Sequence, residues 1–170
     1  MTTTTNGESS EARRRIAALP KVELHAHLSG SIRQAFLAER SASFRPVDVV
    51  TPRSLEACFE YFGAVRHVIT DIAGLEAAAR DVVASFAADG CVYLELRTTP
   101  KRLGDADEAA YVDAVRNAAR TVEADMDVRL LLSIDRGVYS SSDLESSVDA
   151  ATRRVGELRA LAERFPGFVV

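Results

Sequence analysis

Two histidines separated by a single residue, His25 and His27, close the run Val22–His27 (VELHAH). Residues i and i+2 of an extended strand project to the same face, so both imidazoles can reach one metal ion. An H-x-H pair also fits two buried, hydrogen-bonded histidines. Position favours the metal reading. The pair ends a short strand behind Pro20-Lys21, and Ser29-Gly30-Ser31 after it permits a tight turn into a helix. The C-terminal ends of strands are where barrel enzymes collect their reactive groups.

Two more polar groups stand at strand ends. Thr98, Thr99, Pro100 and Lys101 follow the run Cys91–Thr98, and Asp135 ends the run Asp127–Asp135. Hydroxyls beside a cation could hold a phosphate, although the same residues suit an ordinary βα loop with an exposed lysine. Asp135 suits a helix cap or a turn equally well. His67, the third and last histidine of the chain, reads by itself as a helix-surface residue.

These groups need strands to hold them and helices to cover the strands. Val22–His27, Cys91–Thr98 and Asp127–Asp135 read as strands, and Phe168–Val170 as the beginning of a fourth. Helical patterns are expected over Glu11–Leu19, ended by Pro20, and over Ile32–Arg40, Leu55–Ile69 and Leu75–Ala88. In the last of these, Leu75, Ala79, Val82, Val83 and Phe86 make one apolar face, and Gly90 stands where a left-handed cap belongs. Val112, Val115, Ala119, Val122 and Met126 form a second stripe. A Ser142/Glu145 capping box opens a third, carrying Leu144, Val148, Ala151, Val155, Leu158, Ala162 and Phe165 and stopped by Pro166-Gly167.

Strands alternating with helices predict a parallel sheet with helical crossovers. Within each strand an apolar set alternates with a polar one: Val22, Leu24 and Ala26 against Glu23, His25 and His27; Val92, Leu94 and Leu96 against Tyr93, Glu95 and Arg97. A sheet covered on both faces would read as a continuous apolar run. One apolar face predicts instead a (β/α) barrel with the apolar set turned out to the helices and the polar set turned inward. Glu23, Glu95, Arg97 and Arg129 are then placed to pair with one another. A (β/α)8 barrel needs eight strands and about 250 residues, whereas this chain has 170. The fold expected is therefore α/β, the N-terminal part of a TIM-type barrel with three to four βα units over 11–170, preceded by a tail at 1–10.

Composition narrows the partners. A formal net charge of −4 argues against a protein built to grip nucleic acid. Cys58 and Cys91 have no paired spacing and read as reduced core residues of a cytoplasmic protein. No secretory signal and no apolar run of about 20 residues is visible, so no membrane partner is expected.

The stretch Leu19–Ile32 (LPKVELHAHLSGSI) resembles the opening signature of the adenosine deaminase family, and within it the N6-methyl-AMP deaminase branch. Ser54–Phe62 (SLEACFEYF), Tyr93–Lys101 (YLELRTTPK) and Ser133–Arg136 (SIDR) are similar to the same branch, so the resemblance runs from about Ile16 to Val170. It implies a zinc ion and hydrolytic removal of a 6-amino or 6-methylamino group from a purine nucleotide or nucleoside, by a protein that is monomeric at full length. By the same resemblance, His25 and His27 are the first two zinc ligands. Substrate contacts fall to His27, Ser29, His67, Thr98, Thr99, Pro100, Lys101 and Asp135. Ser29 stands where the family usually has Asp or Asn, and Lys101 where the branch often has Arg, which keeps the charge but loses the bidentate fork. The local match at His67 can shift by one residue to Arg66. The family's later histidines, its proton-shuttling Glu and its metal-binding Asp have no counterpart, so no catalytic acid or base is expected in this chain. Two alternatives stand beside this reading: another H-x-H metal-dependent amidohydrolase, or a non-catalytic partial barrel.

Overall fold

The structure is a computed structural model that describes residues 5–46, 55–139 and 144–170. Its elements run α1 (Thr5–Ala17), β1 (Lys21–His27), α2 (Leu28–Ser31), α3 (Gln34–Arg40), α4 (Leu55–Val68), α5 (Ile72–Ala88), β2 (Cys91–Thr98), α6 (Glu108–Arg120), β3 (Asp127–Leu132), a 3-10 turn at Arg136–Tyr139 and α7 (Leu144–Glu163). The three strands form one parallel sheet in the order β1-β2-β3. A fourth strand begins where the apolar tripeptide predicts it. Leu130 N–H donates to the Phe168 carbonyl at 2.8 Å, Val170 N–H donates back to Leu130 at 3.1 Å, and Leu130 and Val169 form a parallel bridge.

Local signals explain most boundaries. Asp71 caps α5, its Oδ1 accepting from Gly74 N–H at 2.6 Å, and Asp107 caps α6 by accepting from Ala110 N–H at 2.8 Å. After α5 the chain reverses through Gly90 at φ +80°, a left-handed conformation that favours glycine. The Gly90 carbonyl then accepts from Lys21 N–H at 2.9 Å, tying the start of β1 to the start of β2.

Helices α5 and α6 pack against each other and cover the outer face of the sheet. The expected stripes supply that layer: Leu75, Ala79, Val82 and Val83 on α5 and Val112, Val115, Ala119, Val122 and Met126 are buried, while Phe86 is half-buried. Beneath them lie Leu94 and Leu96 of β2 and Val128 and Leu130 of β3. Cys91 is buried and unbridged, whereas the Cys58 side chain lies outside the described ones.

Several expectations are corrected. Helix α1 begins at Thr5, so residues 5–10 of the stretch read as a tail are helical, and residues 1–4 lie outside the described residues. The helix expected over Ile32–Arg40 starts two residues late, at Gln34: Ile32 and Arg33 are extended and separate it from α2, and Arg33 forks onto Asp81 of α5. Strand β3 stops at Leu132 rather than Asp135: Leu132 is the partner of Thr98, the last residue of β2. On α7, Leu158 and Leu161 are buried, as is Phe165 just beyond its end, but Val148 and Val155 are exposed. Its apolar stripe is therefore covered only in its second half. The Ser142 half of its capping box lies outside the described residues.

The polar face also differs in detail. Glu23 accepts from the backbone N–H of His25 at 2.7 Å, Glu95 accepts from the Tyr93 hydroxyl at 3.1 Å, and Arg129 binds Asp127 and the Gly167 carbonyl. Arg97 keeps a buried Nε with no partner among the described residues. Glu23 and Glu95 are thus met by a backbone N–H and a hydroxyl, and Arg129 by a carboxylate of its own strand, in place of the ion pairs expected among the four.

Candidate functional site

His25 and His27 end β1 on the face opposite buried Ala26, and their Nε2 atoms lie 3.3 Å apart. The ring centroids are 5.2 Å apart and the planes are inclined at 47°. Two nitrogens each about 2.0–2.1 Å from a zinc ion, at the tetrahedral angle, stand about 3.3 Å from one another. The pair thus has the spacing of one edge of a tetrahedral site, and the donor type fits. Among the described residues no third His, Cys, Asp or Glu completes such a group. Partial burial, then the charges of His25 and Arg97, push the His27 pKa below its ordinary value. This favours the neutral imidazole, the form that binds metal.

The turn after β1 closes around the pair. Ser31 Oγ donates to the His27 carbonyl at 2.9 Å, holding the single turn α2, and Ser29 is exposed next to His27. Helix α4 lies over this turn: Tyr61 donates to the Ile32 carbonyl at 3.0 Å. At Gly30 an added Cβ would lie 3.6 Å from the Phe62 ring and 3.7 Å from His27 Cβ. A side chain there would sit between the histidine and the aromatic ring.

The segment after β2 alternates in direction. Thr98 is buried and its hydroxyl is 2.7 Å from the buried Tyr111 hydroxyl of α6. The Pro100 side chain is fully buried, while Thr99 and Lys101 are exposed. Of the four residues expected to meet substrate, the structure turns two into the protein and two outward. The parity of β2 carries the signal, since Thr98 continues the buried set Leu94, Leu96. Burial, and then the nearby Arg66 guanidinium, push the Lys101 pKa below the ordinary lysine value.

Arg66 and His67 both lie in the last turn of α4. His67 directs Nδ1 to the Gly63 carbonyl of its own helix at 2.8 Å. Asp135 is exposed and accepts from Gly137 N–H at 2.9 Å through Oδ1, a turn-forming bond that starts the 3-10 turn. The residues gathered at the strand ends are thus His25, His27, Ser29, Thr99, Lys101 and Asp135, with Arg66 beside them.

Comparisons with known proteins bear on the family and the fold. The adenosine deaminase family model matches residues 20–157. N6-Methyl-AMP deaminase-L of Xenopus laevis is 41% identical over 132 residues, which is 69% of this chain and 38% of that protein. The crystal structure of Arabidopsis ADAL complexed with GMP has a TM-score of 0.62 at 39% identity, over 72% of this chain and 43% of that one. A Zn-bound amidohydrolase from Burkholderia ambifaria reaches a TM-score of 0.68 over 99% of this chain and 46% of its own, at 24% identity, a likeness of fold alone. The chain spans less than half the length of these relatives.

Proposed function

The chain belongs to the adenosine deaminase family, and from that premise we propose that it supplies the N-terminal, metal- and nucleotide-binding part of a zinc-dependent purine aminohydrolase. The observation that carries this reading is the His25–His27 pair, with its nitrogens 3.3 Å apart at the end of β1. His25 and His27 would hold the zinc ion through Nε2, and the ion would supply Lewis-acid activation of water at neutral pH for hydrolysis at purine C6. Lys101 and Arg66 bring positive charge to the 5′-phosphate, and the Thr99 hydroxyl donates to it. Asp135 orients the nucleotide, and Ser29 offers a shorter polar contact beside His27. The remaining ligands, and the group that moves a proton to the ring nitrogen, are supplied by the rest of the complete protein. The products are a 6-oxopurine nucleotide and ammonia or methylamine.

The test is turnover of N6-methyl-AMP, AMP and adenosine by the complete protein. Hydrolysis of a 6-aminopurine nucleotide, lost on zinc removal and restored by adding it back, is expected. If none of the three is consumed while a cyclic amide is opened, the family's fold serves another C–N hydrolysis. A second reading rests on the exposure of Val22 (59%) and Leu24 (55%) on β1. By itself the 170-residue chain is a non-catalytic partial barrel that associates through this face. Analytical ultracentrifugation of the chain tests it: a clean monomer at tens of micromolar would contradict association.

A further inference from the structure

Two side chains that do not reach the strand-end mouth hold its β2 loop from behind. Tyr111 of α6 meets the Thr98 hydroxyl at 2.7 Å in a buried contact. Arg154 of α7 donates from Nη2 to the Pro100 carbonyl at 3.3 Å. The same guanidinium forks onto Glu108, with bonds of 2.7 and 2.9 Å, and Nη1 also reaches Glu157 at 3.0 Å. Glu108 is the first residue of α6. One half-buried guanidinium therefore joins the loop, the start of α6 and the body of α7, across 54 residues of chain.

The far end of the loop is tied by reciprocal bonds between Leu103 and Ala106, at 3.2 and 3.1 Å, and by the buried Leu103 side chain, which leaves the stretch next to β2 to be held separately. Pro100 has no N–H to donate, and its side chain is fully buried. The Thr98 carbonyl is already taken by Ser133 N–H at 2.8 Å, which extends the pairing of β2 with β3. With Thr98 and Pro100 fixed inward, Thr99 and Lys101 must face the other way. A guanidinium suits this task because its planar fork engages a carboxylate with two donors and still has donors for a carbonyl.

We propose that Arg154, supported by Tyr111, is a positioning residue for nucleotide binding: it fixes Pro100 so that Thr99 and Lys101 face the phosphate. This rests on the proposed nucleotide reading. A preformed loop spares the ordering cost that binding would otherwise carry, so the contribution falls on affinity for the phosphate-bearing substrate, not on the chemical step.

The experiment is steady-state kinetics of the complete protein with AMP and adenosine, together with hydrogen exchange. Arg154→Ala is expected to raise KM for AMP ~10-fold or more while kcat changes less than about twofold. kcat/KM for adenosine should hold, and exchange at residues 99–104 should quicken without change at 91–97. Arg154→Lys, which can reach the Pro100 carbonyl but not fork on Glu108, should restore part of the loss. Tyr111→Phe should shift KM in the same direction by less. Equal losses for both substrates, or an unchanged KM with unchanged exchange at 99–104, would overturn the positioning role while leaving the nucleotide reading intact. A parent protein that prefers adenosine would overturn both.

Discussion

Along β2, Leu94 and Leu96 alternate with Glu95 and Arg97 and are wholly buried. Along β1, Val22 and Leu24 alternate with Glu23 and His25, yet they are more than half exposed. The two strands carry one pattern, but their parallel pairing slips by one residue: Val22 lies opposite Tyr93 and Glu23 opposite Leu94, whereas Ala26 lies opposite Leu96 and His27 opposite Arg97. Val22 and Leu24 therefore fall out of line with the buried set of β2, and among the described residues nothing covers them, whereas helices α5 and α6 cover β2 and β3. Alternation in sequence thus marks a strand, while register and a covering neighbour decide which of its side chains are buried. The candidate site straddles this boundary: its metal end lies on the uncovered strand, and its phosphate end lies on the covered one.

The largest contrast concerns activity. In the complete protein, His27→Ala should reduce kcat/KM by at least about three orders of magnitude, over 4 kcal/mol of transition-state stabilisation, measured by steady-state turnover of AMP. A residual activity within tenfold of the parent would remove the metal role from β1.

Next comes stability. Leu94→Ala should cost about 2–5 kcal/mol in denaturant unfolding of the chain. Leu24→Ala, on the uncovered strand, should stay within about 0.5 kcal/mol. Comparable losses at both positions would mean that β1 is covered in solution, a second copy of the chain being the first candidate.

Much of this division is legible in the sequence. Period-two alternation marks the three strands and the parity that puts His25 and His27 on one face. The spacing of Leu75, Ala79, Val82 and Val83 marks the helix face that covers β2. Less legible are features set by partners distant in the chain. Arg33, extended just before α3, reaches Asp81, 48 residues on, and the helix expected from Ile32 starts at Gln34. His67 turns its Nδ1 to the Gly63 carbonyl of its own helix, a bond that the family match alone does not foretell. The family resemblance assigns Thr98 to substrate, but the buried parity it shares with Leu96 turns it toward Tyr111. Arg154 carries no signal at all, since a charged residue on an amphipathic helix reads as solvated surface.

A smaller effect sharpens the covered side. Asp107→Ala removes the cap of α6 and should cost about 1 kcal/mol, with exchange quickening first at residues 108–111. An unchanged unfolding midpoint would show that Glu108, held by Arg154, secures the helix start without the cap.

The smallest effect is one of pH. Burial and Arg66 disfavour the charged form of Lys101, so its ammonium loses its proton at a lower pH than an ordinary lysine. Affinity for AMP should weaken as pH rises through that lowered value, because the neutral amine no longer attracts phosphate. Lys101→Arg should flatten this limb of the KM profile, and a limb that persists unchanged in the variant belongs to another group.

The most direct measurement is zinc anomalous diffraction from crystals of the complete protein. One peak is expected about 2.0–2.1 Å from Nε2 of both His25 and His27, absent in His25→Ala. Zinc bound elsewhere with both imidazoles unligated, or an undiminished peak in the variant, would contradict it.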